Sequence, residues 1–337
     1  MRKIHYLTSL IFIIFILSCS KNDKNKHESY NKQLEKHLTL NSDFKIGDIR
    51  RYGIFPKDYS IKKYKKRKNL DSILQLSATG LKLYFPTGYF NNYLQIDNLK
   101  NVSINFNNTQ IGSFLRIKNS EYIQLTGNLI SYNMIEINNS KDITADTLQV
   151  IDNPDLHSGK KHSSGFQILN KSSELKFKFI NIEGLGSGKN YKYIHSALKI
   201  YGYPIMPSKI NIQKLNVKNS SVHGVLIMGD YITINTLSVK GYGLKDNPFL
   251  AKLSNVKQMP QNYYAIWLQK NTNSHYNLIS IAQPKKKYMR LGPGTIHKPT
   301  VIDTLIIPSK VDLNKKIDDA PNTNIVVRFV IVHEKNK

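Results

Sequence analysis

Two histidines stand at almost equal places relative to two similar runs, SALKIYG from Ser196 and HGVLIMG from His223: His195 directly precedes the first, and His223 begins the second. The first run also carries Lys199 and Tyr201. A neutral imidazole can take up a proton, and a lysine or tyrosine can assist, so His223, His195, Lys199 and Tyr201 form a candidate set for acid–base work. The chemistry that suits them is proton abstraction beside a sugar carboxylate with departure of the neighbouring oxygen, the β-elimination of a uronate polymer. That reaction also needs cations or donors to neutralise the carboxylate. Arg116, Lys160, Lys161 and His162 are candidates for this binding, and Trp267 offers a ring on which a sugar could stack. A lone histidine at the start of a strand serves packing equally well, so a structural role stays open. Hydrolysis would require two carboxylates about 5 to 10 Å apart. Around these runs only Glu136 is acidic, with Asp152, Asp155, Glu183 and Asp230 at the margins. Calcium takes several oxygen ligands, so no cofactor is expected and a calcium site lacks support.

The elements that would hold these groups are strands in a repeating pattern. Runs of one kind, INFNNTQI, IQLTGNLI, ITADTLQV, LKFKFINI, INIQKLNV, ITINTLSV and TVIDTLII, start 19, 20, 32, 35, 22 and 68 residues apart, and a weaker copy, YNLISIAQ, fills the last gap. Runs of a second kind, SFLRIKN, NMIEINN, SGFQILN, SALKIYG, HGVLIMG and YAIWLQK, alternate with them. Period-two patterning rich in β-branched residues predicts strands. Neighbours joined by one or two residues cannot pair in parallel, because a parallel pair needs a long crossover. Each strand must therefore pair with its equivalent one coil later, which is the plan of a parallel β-solenoid. Asn119, Asn139 and Asn170 recur at one corner and predict a ladder of stacked amides. The alternation points the pairs Leu115/Ile117, Ile135/Ile137, Phe166/Ile168, Leu198/Ile200, Val225/Ile227 and Ile266/Leu268 inward. Outward it leaves a stripe through Arg116, Glu136, Gln167, Lys199, Leu226 and Trp267, and beside it a second through Lys118, Asn138, Leu169, Tyr201, Met228 and Gln269. Excess length falls at 151–163, 183–195 and 240–263, before strands of the second kind, while other junctions look short. Stacked insertions on one edge commonly build a binding wall, and here they bring Lys160, Lys161, His162, Lys189, Lys192, Lys245, Lys252 and Lys257, followed by Lys285 to Lys287 and Arg290.

The segments IRRYGIFPKD, KNLDSILQL and GLKLYFPTGYF, with Pro86, Gly88, Tyr89 and Phe90 in the last, resemble the opening module of pectate-lyase-superfamily proteins. Together with the coils, the resemblance spans about residues 45 to 310. It implies an all-β, single-stranded right-handed parallel β-helix with a short N-terminal cap and long loops on one edge. It is weak for activity, because the superfamily holds lyases, hydrolases, epimerases, phage spikes and inactive scaffolds. Of the polygalacturonase pattern only Val222-His223-Gly224 half matches, and Arg116-Ile117-Lys118 comes too early. The run DNPDLH resembles uronate-epimerase motifs only loosely.

The N-terminus, MRKIHYLTSLIFIIFILSCS, has a basic start, a short apolar run and a small residue before Cys19. This pattern reads as a cleaved signal, and it resembles a bacterial lipobox in which Cys19 becomes the lipid attachment site. Ser20 after the cysteine favours the outer membrane. Cys19 is the only cysteine, which excludes a disulfide framework. The expected organisation is a signal peptide over 1–19, a polar tether over 20–45 and a β-helix over 46–337. The net charge of +26 suits a polyanionic partner, although a Lys- and Asn-rich genome would also produce it. In the cell envelope that partner is an acidic polysaccharide, with no nucleic acid and with the chain a monomer. Two functions stay open: an envelope enzyme acting on an acidic polysaccharide, with lyase chemistry the best fit, and a noncatalytic glycan-binding or scaffolding lipoprotein.

Overall fold

A computed structural model describes residues 30–56, 63–91, 93–152, 165–184, 196–220, 223–243, 263–284, 287–292, 298–308, 317–319 and 324–332. The chain is mostly β with one large sheet, and every strand pair among the described residues is parallel. Strands pair with their equivalents about one repeat away, as in an all-β parallel solenoid. Leu94, Leu115, Ile135, Phe166, Leu198, Val225 and Ile266 follow one another in register. All the residues predicted to point inward from this row are fully buried. Each such aliphatic side chain contributes roughly 1.5–3 kcal/mol relative to exposure, and this continuous row is what holds coil to coil.

The first kind of run is longer than the sequence pattern suggested and bends in the middle. In the strand Ser208–Lys218, Ile210 and Ile212 point inward, two residues then stay outside, and Leu215 and Val217 point inward again. The same interruption of alternation recurs in Lys141–Ile151 and Ser173–Glu183. Each coil therefore presents three inward faces, not two. The link at Gly229-Asp230 between the runs HGVLIMG and ITINTLSV does not interrupt pairing: His223–Tyr242 is one continuous strand. The change of direction comes at Tyr231, whose φ of 55° lies in the left-handed region.

The corner after runs of the second kind uses the predicted asparagines. Asn119, Asn139 and Asn170 have φ of 50°, 52° and 55°, a conformation that asparagine tolerates better than most residues. Asn139 Nδ2 donates to Asn119 Oδ1 at 2.6 Å, whereas Asn170 Nδ2 donates to Asn138 Oδ1 at 2.6 Å, so the amide ladder shifts by one residue. Beneath it runs a serine ladder that the sequence reading missed. The backbone N–H groups of Leu99, Ser120 and Ser140 donate to the hydroxyls of Ser120, Ser140 and Ser172 at 3.1, 3.1 and 3.3 Å.

The stretch 20–45, expected to be a solvated tether, is packed where it is described. Lys32–Leu38 is a helix capped by the Asn31 side chain. Its Glu35 is buried and meets Arg51 Nε at 2.7 Å, and Leu34 and Leu38 pack against the core. A longer helix, Lys63–Ala78, buries Ile73, Leu74 and Leu76 over the first coil. At the other end Ile325–Val332 leaves Val326, Phe329, Val330 and Ile331 exposed.

Candidate functional site

The outward stripe takes its register from the same ladders that stack the core. Gln95, Arg116, Glu136, Gln167, Lys199, Leu226, Trp267 and Arg290 are successive partners. With about 4.8 Å between coils, Lys199 and Arg290 lie roughly 14 Å apart along the axis. Beside this stripe Asp97, Lys118, Asn138, Leu169 and Tyr201 form the second column.

Arg116, expected to bind substrate, is engaged within the floor. Its Nε lies 3.1 Å from Glu136 Oε1, off the line needed for a hydrogen bond, and the NH2 group donates to Oε2 at 3.4 Å. The guanidinium also lies 4.9 Å from the centre of the Phe114 ring. The two charges offset one another, so this pair offers an anion little net attraction.

Lys199 and Tyr201 do come together, as their shared strand Ser196–Tyr201 requires. The ammonium sits 4.8 Å from the centre of the Tyr201 ring. Burial pushes Lys199 below the ordinary lysine range, because desolvation disfavours the charged form. Among the described residues no carboxylate pairs with it.

His223 starts the strand that pairs with Lys199's strand, with Ser196 as its partner. Only 8 % of it is exposed. Its Nδ1 accepts the backbone N–H of Tyr264 at 2.9 Å. The ring stacks on Tyr264, with centroids 5.5 Å apart and planes 17° apart, and meets Tyr263 and Trp267 edge-on at 5.5 and 5.3 Å. One lone pair is thus already used, and the imidazole is enclosed by three aromatic rings. The geometry suits a packing role for His223 better than that of a base open to a polymer. The partner histidine, His195, lies outside the described residues, as do Lys160, Lys161, His162 and Cys19.

Trp267 is half-buried, and its ring is not a free platform. The Arg290 guanidinium lies 4.6 Å from the indole centroid and 5.9 Å from that of Tyr264. Arg290 was grouped by sequence with the basic loop residues before it; the pairing of Trp267 with Arg290 moves it onto the floor. The signal was available, since YMRL at 288–291 alternates like the earlier runs. A guanidinium stacked on an aromatic face keeps its donor edge available for two parallel bonds to a carboxylate. No family model, curated protein or solved structure matches the chain. Chemical inference about the site therefore rests on these contacts.

Leu226 and Met228, expected on the outward stripes between Lys199 and Trp267 in coil order, are instead buried, so the middle of the stripe is covered and offers no exposed apolar surface. Among the described residues no three His, Cys, Asp or Glu side chains converge as metal ligands. No described helix is long and apolar enough to cross a membrane.

Proposed function

We propose that the chain is a right-handed parallel β-helix lipoprotein of the pectate-lyase-superfamily type, held in the cell envelope by lipid at Cys19, whose floor binds an acidic, uronate-containing polysaccharide. The near-universal right hand of parallel β crossovers supports a right-handed coil. The observation that carries the binding role is Arg290 stacked on Trp267 in the same column as Lys199. Arg290, about 14 Å along the axis from Lys199, can take the carboxylate of one sugar while neutral Lys199 faces another ring of the same polymer.

The chemistry proposed on this floor is β-elimination. Lys199 in its neutral form takes the proton from C5, the electrons of that bond form the C4–C5 double bond, and the C4–O bond breaks. The departing oxygen takes a proton from the Tyr201 hydroxyl or from water. A lysine held below its usual range reaches the neutral form at lower pH than an exposed lysine, which is the requirement for a general base. A second reading, noncatalytic glycan binding, is favoured by the enclosure of His223.

Ultraviolet absorbance of the unsaturated product separates the two, measured on a panel of uronate polysaccharides. Elimination predicts a rise on one substrate that is abolished in Lys199→Met and retained in part in His223→Gln. Absence of a rise on every substrate, with binding retained by calorimetry, would leave the noncatalytic reading.

A further inference from the structure

The corner that follows Lys199 and Tyr201 departs from its neighbours. Where preceding coils turn at Asn119-Ser120 or Asn139-Ser140, this coil makes an excursion from Gly202 to Pro207 before the strand Ser208–Lys218 begins. Junctions after strands of the second kind looked short in the sequence, so this one departs from that reading. Both feet of the excursion are anchored. A side chain at Gly202 would meet Ile205 O at 2.3 Å and Asn170 Cα at 2.8 Å, so the backbone is pressed onto the coil below. Pro207 O accepts the N–H of Asp230 from the coil above at 3.1 Å. Pro204 and Pro207 restrict φ within it. On this anchored frame Tyr203 is 76 % exposed and Ile205 58 % exposed.

Exposing a tyrosine and an isoleucine together on a constrained loop forgoes burial that each could have gained, so their size decides what could cover them. A large aromatic side chain buries about 150–250 Å² when covered, and with the isoleucine the patch reaches a few hundred Å² at most. Stable protein interfaces need about 800 Å² from each partner. The patch is too small for a protein and large enough for one sugar ring. It also directly follows the strand that carries Lys199 and Tyr201, at the edge opposite the strand starts where His223 lies.

We propose that the Gly202–Pro207 excursion forms the far wall of the glycan groove, with Tyr203 and Ile205 as the apolar platform on which one pyranose ring stacks beside Lys199. This inference rests on the reading of the floor as a uronate-binding site. It assigns the stacking role expected of Trp267, whose face Arg290 occupies, to a residue at the edge of the floor. Tyr203 thereby sets which ring of the polymer stands over Lys199.

The test is calorimetric binding of polygalacturonate and alginate oligomers to the full chain in detergent, comparing wild type with Tyr203→Ala, Tyr203→Phe and Arg290→Ala. Tyr203 is exposed, so its variants keep the fold, which circular dichroism checks. The expected result is binding weakened about five- to thirty-fold in Tyr203→Ala and within about twofold of wild type in Tyr203→Phe, because the ring supplies the platform. Unchanged affinity in Tyr203→Ala alongside weakened binding in Arg290→Ala would overturn the platform and leave the floor intact. A wild-type chain that binds neither oligomer would refute the floor reading and this inference with it.

Discussion

Arg290 and Trp267 provide the sharpest quantitative test of the floor. Arg290 is exposed, and its guanidinium is held 4.6 Å from the Trp267 centroid and 5.9 Å from that of Tyr264. A hydrogen bond to a charged group contributes about 1.5–3 kcal/mol, and solvent exposure places this one at the lower end. Arg290→Ala should therefore weaken uronate-oligomer binding about tenfold. Trp267→Ala leaves the charge but removes a cation–π contact of about 0.5–1 kcal/mol at an exposed site. The guanidinium also regains rotamers that the ring had restricted, so a loss of about three- to fivefold is expected. If Trp267 acts by positioning Arg290, it should cost almost nothing further in the Arg290→Ala background, giving a coupling of about 0.5–1 kcal/mol in the double-mutant cycle. Arg290→Lys, which keeps the charge without the planar fork, should fall between wild type and Arg290→Ala. The assay is titration calorimetry at fixed salt, since exposed charge interactions are screened. Additive losses would show that Trp267 touches the sugar directly, and full affinity in Arg290→Ala would refute the role of the stripe.

Two further predictions follow from the packing and the buried cation. Ser140→Ala should destabilise the chain by about 1–3 kcal/mol, because it strands the Ser120 N–H that donates to Ser140 Oγ and removes the donor to Asn138 O. A urea midpoint indistinguishable from wild type would show that the serine ladder is incidental. Lys199→Met should raise stability at neutral pH. The folded state holds Lys199 below its unfolded value, so the unfolded chain binds more protons through that window and stability rises with pH across it. The gain from the substitution should accordingly shrink as pH approaches the ordinary lysine value of about 10.4, and a pH-independent gain in denaturant melts would contradict the buried-cation account.

Much of the coil was legible because two simple rules operate in it. Alternation assigns faces, and equivalent runs must stack, so the sequence alone places Leu198/Ile200 and Val225/Ile227 inside, with Lys199 on the outward stripe. Asparagine located the corner at Asn119, Asn139 and Asn170, whereas glycine misled. Gly229-Asp230 looked like a turn, yet the chain turns at Tyr231, a residue type with no local preference for that conformation. The helix Lys32–Leu38 was hidden because its stretch is polar, and what orders it is the long-range pair of Glu35 with Arg51, 16 residues away in sequence.

The candidate site shows the same division. Sequence determined which residues share a stripe, since a period of two and a regular coil leave little freedom in side-chain direction. It also supplied the excess of positive charge and the single cysteine with the apolar run before it. Only the tertiary structure decided what each group on the stripe is doing, because partners come from neighbouring coils about 20 to 40 residues distant, as for Arg116 with Glu136 and His223 with Tyr264. Those contacts turned Arg116 into half of an ion pair, enclosed His223 behind aromatic rings and set Arg290 on Trp267. The physical reason is that alternation specifies direction, whereas availability for chemistry depends on what the next coil places within a few ångströms.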